Sequence, residues 1–84
     1  MLATKKTVTI YVNAAPHEWP KNELIPYAEV VKFEYPDSVN HPEYTYSVTY
    51  ENAHGEKPEG ILNPGGSVKV KEGMMFHVTK TGES

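Results

Sequence analysis

The C-terminal part of the chain, residues 67–84, reads SVKVKEGMMFHVTKTGES and carries its clearest strand signal. From residue 74 to residue 80 the side chains alternate, with Met74, Phe76 and Val78 on one face and Met75, His77 and Thr79 on the other. An alternation with period two predicts a half-buried β-strand. We therefore expect residues 1–80 to form a domain that ends in a core strand, and residues 81–84 to form a flexible tail.

The composition limits the classes of function. The chain has 84 residues, enough for one domain, and it has no cysteine, so it has neither disulfides nor a thiolate metal site. Its 8 basic residues are all lysines, they are dispersed, and they face 11 acids for a net charge of -3, which argues against nucleic acid as a partner. The absence of a signal peptide or membrane span predicts a soluble, cytoplasmic protein that does not bind membranes.

The first half of the chain predicts two strands and a helix. Residues 6–12 alternate and are rich in β-branched side chains, which favours a strand. After a turn, residues 17–19 form a short second strand that Pro20 closes, and since proline lacks the donor that a central strand needs, this strand lies at an edge with Trp19 pointing into the core. Residues 26–34 predict an amphipathic helix that ends before Pro36.

The second half predicts a loop over residues 36–43 and a regular strand over residues 44–51, which is expected to pair centrally. Residues 58–62 allow a short strand, and Val68 and Val70 are predicted to pack as an irregular segment beneath the sheet. With the last strand, the element order is β-β-α-β-β-β. One helix lying across a mixed sheet of four to five strands would bury all the apolar faces in one core, which predicts an α+β, β-grasp fold.

Several short motifs in a fixed order resemble the bacterial multiubiquitin domain family, and together they cover about residues 5–79. They are TVTIYVN at residues 7–13, EVVK at 29–32, FEYPD at 33–37, YSVTY at 46–50, KPEG at 57–60 and VKVKEGM at 68–74. The resemblance implies a ubiquitin-like protein that is not itself an enzyme and needs no cofactor. It also implies partners: activating-like and conjugating-like enzymes, a deubiquitinase-like metallopeptidase, and target proteins. As an isolated domain the protein is expected to be a monomer.

In that family the chemistry would run through the C-terminal carboxylate of the protein, which an activating enzyme adenylates with ATP and passes to a cysteine as a thioester. A conjugating enzyme then delivers it to a target. The chain has no Gly-Gly terminus and ends in Thr81-Gly82-Glu83-Ser84. Three interpretations stay open: Ser84 is activated directly, a peptidase trims the chain after Gly82, or the protein is never conjugated.

The last interpretation corresponds to a different class of function, a non-covalent β-grasp module that binds a partner by strand addition at an edge such as the Trp19 strand. A modifier needs residues 81–84 free and reactive, whereas a binding module would tolerate their deletion. A sulfur carrier would also use a glycine carboxylate and is less favoured.

The outer face of the sheet is the candidate docking surface for a partner. Most of its positions are threonine or serine, which are ordinary exposed strand residues. The side chains predicted to contact a partner are Tyr11, Thr45, Met75 and His77. The four histidines are not spaced as metal ligands, and no metal site is predicted.

Overall fold

The computed structural model describes residues 6–53, 55–56 and 58–83, and within them one α-helix packs across a five-stranded mixed sheet. The elements in chain order are β1 (Thr7–Val12), β2 (Ala15–Pro20), β3 (Leu24–Pro26), α1 (Tyr27–Glu34), a 3₁₀ helix (Pro36–Asn40), β4 (Tyr44–Glu51), β5 (Gly60–Ile61), β6 (Ser67–Lys69) and β7 (Met75–Glu83). This arrangement confirms the predicted α+β, β-grasp fold. No helix in the described part of the chain is long and apolar enough to cross a membrane.

The five strands of the main sheet lie in the order β2-β1-β7-β4-β5. Strands β1 and β7 run parallel, and the other neighbours are antiparallel. The middle position belongs to β7, and β4, which was predicted to pair centrally, is an interior strand with β7 on one side and β5 on the other. The alternation of β4 indicated a buried face, but the same alternation suits any strand that packs under the helix.

A tight turn joins β1 to β2. Asn13 and Ala14 both adopt positive φ angles, 50° and 73°, which match a two-residue hairpin turn. The pairing then continues from Val12 opposite Ala15 to Thr7 opposite Pro20, so β2 is longer than the predicted residues 17–19. Its position at the edge of the sheet is confirmed.

The helix begins one residue later than predicted. Pro26 keeps an extended backbone and ends β3, and α1 starts at Tyr27. Val30 and Val31 are buried against the sheet. Tyr35 donates its backbone N–H to the Val31 carbonyl at 2.7 Å, and Pro36, which lacks an N–H and clashes with a preceding turn, prevents the helix from continuing.

The core lies between α1 and the inner face of the sheet. Strands β1, β4 and β7 contribute alternate residues to it, as their alternation predicted, and Trp19 packs against it from β2. Its buried members are Val8, Ile10, Val12, Ile25, Val30, Val31, Val48, Ala53, Leu62, Val70, Met74, Phe76 and Val78. The opposite face of the sheet is more exposed and carries Tyr11, Thr45, Met75 and His77.

Two local structures were not predicted. Strands β3 and β6 form a separate two-stranded sheet in which Ile25 lies opposite Val68, so the segment expected to be irregular is partly a strand. The predicted loop over residues 36–43 contains the 3₁₀ helix. Each is only three to five residues long, which is too short for periodicity to distinguish it from a loop.

The last strand also differs from the prediction at its C-terminal end. It begins at Met75 and continues to Glu83, whereas the alternation predicted residues 74–80. Residues Thr81, Gly82 and Glu83, expected in a flexible tail, belong to the strand and lie beside β4. Gly82 and the polar residues around it give no strand signal in the sequence, so this extension of β7 depends on its pairing with β4.

Candidate functional site

The C-terminal segment, residues 81–83 at the end of β7, is paired on one side only. Strand β1 accompanies β7 at Met75 and Phe76, and the side chain of Asn13 extends the contact to Val78. Beyond Val78, the described part of the chain pairs with β7 through β4 alone, with Gly82 opposite Thr45 and Glu83 opposite Tyr44. The end of the central strand is therefore an edge.

Side chains of β4 hold this segment from both faces. On the outer face, the hydroxyl oxygens of Thr45 and Thr81 are 2.8 Å apart, and the Thr45 hydroxyl also lies 3.4 Å from the Gly82 carbonyl oxygen, to which it donates a long hydrogen bond. On the inner face, the Lys80 ammonium lies 3.6 Å from the centre of the Tyr44 ring. A bulge separates these two contacts, since Thr45 pairs with Gly82 while its neighbour Tyr46 pairs with Lys80.

Gly82 differs from the other glycines in having no structural reason to be glycine. The others either have a positive φ angle (Gly55, Gly65, Gly73) or meet a close neighbour where a Cβ would lie (Gly60, Gly66). At Gly82 the nearest atom to such a Cβ is the Thr45 hydroxyl oxygen, at an ordinary contact distance of 3.9 Å. The fold would accept alanine there. The other predicted conjugation residue, Ser84, lies outside the described residues.

The outer face of the sheet brings three of the predicted docking residues together. Tyr11 and Met75 lie opposite each other in the β1–β7 pair, and both are partly exposed, at 36% and 37%. His77 follows on the same face of β7, and its Nε2 lies 2.8 Å from a carboxylate oxygen of Glu51. Both side chains of this contact are about half exposed, so it adds little to stability.

Thr45 lies apart from these three. It is four residues from Thr49, the position opposite His77, and at strand spacing that separation is about 13 Å. Its hydroxyl contacts the C-terminal segment instead. The structure thus places Thr45 with Gly82 and not with the other predicted docking residues.

Sequence reasoning missed Ile61 on this face. Ile61 lies opposite Thr49 in the β4–β5 pair and is 69% exposed. It borders a shallow concavity of about 440 Å³, which is lined by Thr49, Tyr50, Glu51, Glu59, Gly60, Ile61 and His77. Leu62 is buried, and because successive residues of an extended chain point to opposite faces, Ile61 is exposed.

Two of the other histidines, His17 and His41, make ordinary packing contacts, and His54 lies outside the described residues. His17 stacks on Phe33 with ring centres 4.2 Å apart, and His41 stacks on Tyr44 at 4.7 Å. Across the described residues, no three histidine, aspartate or glutamate side chains come together as metal ligands would.

Near the C-terminal segment, two ionisable groups have shifted pKa values. The pKa of Glu43 lies below its usual value because its carboxylate accepts a hydrogen bond from its own backbone N–H and another from the His41 ring. Partial burial raises the pKa of Tyr46, and the charge of Lys80 opposes that shift. Neither group is placed as an acid–base catalyst would be.

A family model described as multiubiquitin matches residues 8–82. The match covers the helix and all the strands except the first residue of β1, Thr7, and the last residue of β7, Glu83. Neither a curated protein nor a solved structure matches the chain.

Proposed function

Because the chain belongs to the multiubiquitin family, we propose that it is a ubiquitin-like protein modifier, joined to targets through the carboxyl group of Gly82. The proposal rests on the absence of a side chain at Gly82. Glycine within a strand weakens the strand by about 0.5–1 kcal/mol relative to alanine, and the fold here does not require it. A narrow channel in a partner enzyme would require it, because only glycine presents a backbone without a side chain.

The proposed chemistry begins with cleavage of the chain. A peptidase hydrolyses the bond between Gly82 and Glu83, with water supplying the hydroxyl group of the new carboxylate. That carboxylate attacks the α-phosphorus of ATP and releases pyrophosphate, and an enzyme cysteine displaces AMP to form a thioester. After transfer to a conjugating enzyme, a nucleophile on the target, such as an amine, displaces the thiolate. The modifier contributes no catalytic side chain.

The outer face supplies a docking surface for the activating-like enzyme. Tyr11, Met75 and Ile61 give it exposed apolar area, and Glu51 and Glu59 lie beside it. Its complement is an enzyme surface with an apolar centre and basic side chains at the rim. This surface lies on the same strand as Gly82, so an enzyme that docks at Met75 and extends along β7 would reach the C-terminal segment. We further propose that the modifier is a monomer that acts in the cytoplasm, where ATP is available to partners of this kind.

The first test compares the wild-type chain with Gly82→Ala in the native host. Each chain carries an N-terminal tag, is purified under denaturing conditions, and is analysed by intact mass and by sequencing of the C-terminal peptide. We expect wild-type species in which Gly82 is linked to another protein, and a strong loss of these species in the variant. Trp19 fluorescence during denaturation is the folding control, and it should show no destabilisation of the variant.

The second test concerns the docking surface. Met75→Ala combined with His77→Ala should weaken binding to the adenylating enzyme about tenfold or more, since a few central contacts carry most of the energy of an interface. Thr79→Ala, an exposed residue of the same strand face, is the matched control. Equal affinities of the double variant and the control would remove this surface from the proposal.

The alternative is a non-covalent binding module. Its candidate edge is β2, which begins and ends near Pro16 and Pro20, two residues without a backbone donor, and its Trp19 side chain is turned toward the domain, where it donates to the Leu24 carbonyl at 3.2 Å. These features oppose strand addition there. Recovery of the wild-type chain without any covalent adduct, in cells where the activating-like enzyme is present, would favour this alternative.

A further inference from the structure

The segment that the proposed function uses is not free but lies against the domain as a strand. We infer that residues 81–83 must detach from β4 before Gly82 can be cleaved or activated, and that the Thr45 hydroxyl holds them in the docked state. This inference rests on the proposed function and assigns a regulatory role to a residue that lies apart from the docking surface.

The orientation of β4 shows how the docked segment is held. The Tyr46 carbonyl accepts a hydrogen bond from the Tyr27 hydroxyl at 3.2 Å, and the Val48 carbonyl accepts one from the Leu62 N–H at 2.9 Å. Both carbonyls therefore point away from β7. Since successive residues of a strand point their backbone groups to opposite sides, those of Thr45 face Gly82.

Backbone pairing at this position is combined with the contacts of two side chains. Thr45 approaches both the Thr81 hydroxyl and the Gly82 carbonyl on the outer face. Lys80 lies on the Tyr44 ring on the inner face and fixes the strand just before the bulge. All of these contacts are made with β4, so separation from this one strand is enough to release the segment.

Docking of this kind limits the access of enzymes. A peptidase or an adenylating enzyme must surround the backbone at Gly82, and a backbone paired with β4 has one side covered. The rate of the first step then scales with the fraction of molecules in which the segment is detached. Gly82 in the middle of the segment weakens the pairing and keeps that fraction appreciable.

Amide hydrogen exchange on the isolated protein tests the docked state directly. In the wild type, the Gly82 amide should exchange at least about tenfold more slowly than in an unstructured peptide. Thr45→Val keeps the shape of the side chain but removes the hydroxyl, and it should speed exchange at Gly82 about threefold to tenfold. The amide of Phe76, a fully buried residue near the start of the same strand, should not change.

Two further variants serve as controls. Thr45→Ser retains the hydroxyl and should exchange like the wild type, and Ser47→Ala removes a hydroxyl from the same face of β4 without touching the segment. An unprotected Gly82 amide in the wild type, or equal exchange in Thr45→Val and Ser47→Ala, would overturn the inference. Neither result depends on conjugation, so the proposed function can stand if the docked state fails, and the docked state can stand if no adduct is found.

Discussion

The Asn13 side chain joins the β1–β2 turn to the central strand, and its removal should destabilise the whole domain. Its amide nitrogen donates to the Val78 carbonyl at 2.9 Å, and its amide oxygen accepts from the Val78 N–H at 2.8 Å. The side chain thus replaces the backbone of a neighbouring strand at a point where β1 has turned away. Its own backbone has a φ angle of 50°, which asparagine tolerates better than most residues.

The loss in the free energy of unfolding follows from these two hydrogen bonds. Each hydrogen bond contributes about 0.5–1.5 kcal/mol net, so Asn13→Gly, which suits the positive φ angle but lacks the amide, should lower the free energy of unfolding by about 2 kcal/mol. For a domain of this size, that loss lowers the Tm by about 8–16 °C. Asn13→Ala adds the cost of a Cβ in the left-handed region, about 1 kcal/mol more.

Thermal and urea denaturation of the wild type, Asn13→Gly and Asn13→Ala, followed by circular dichroism, measures the loss of the hydrogen bonds and the cost of backbone strain. Exchange of the Val78 amide provides a local check, because its partner is the lost amide oxygen. If Asn13→Gly unfolds within about 0.5 kcal/mol of the wild type, the side chain does not stabilise the central strand and the reasoning is refuted. Equal stabilities of the glycine and alanine variants would refute the part that concerns backbone strain.

Two other substitutions test neighbouring features of the structure. Ala14 is exposed with a φ angle of 73°, so Ala14→Gly should stabilise the protein by about 0.5–1 kcal/mol in thermal denaturation; an unchanged or lower Tm would contradict the assigned turn. The pKa of Glu43 is lowered in the folded state, so its contribution to stability is present above its usual pKa of 4.5 and is lost as the pH falls through the lower folded value. Glu43→Gln should therefore show a shallower loss of stability below about pH 4.5 than the wild type in urea titrations, and identical pH profiles would count against the assignment.

Much of the fold could be predicted from strands and a helix long enough to show a period. The alternation in β1 and β7 identified which side chains are buried, and Pro36 correctly indicated the end of α1. Among the shortest strands, β5 lies within residues 58–62, where a short strand was expected, whereas β3 and β6 show no period and were not predicted, because they pair only with each other.

Part of the arrangement of the candidate site could also be predicted from the alternation of the strands. Tyr11, Met75 and His77 share a face because the register of β7 against its neighbours follows from which side is buried. Ile61 was missed because nothing in its local sequence assigns β5 to the edge beside β4. Thr45 was placed with the docking residues because it shares their face, while its distance along the strand depends on the register of β4 against β7.

By itself, the sequence determined the fold class, the buried faces and the family, because these depend on periodicity, on proline and on short motifs that are local in the chain. Only the tertiary structure decided that β7 is central and that residues 81–83 lie against β4. It also showed that Gly82 has no structural need to be glycine. These properties depend on which backbone lies beside which, and long-range pairing is set by the packing of the whole domain and not by any one segment.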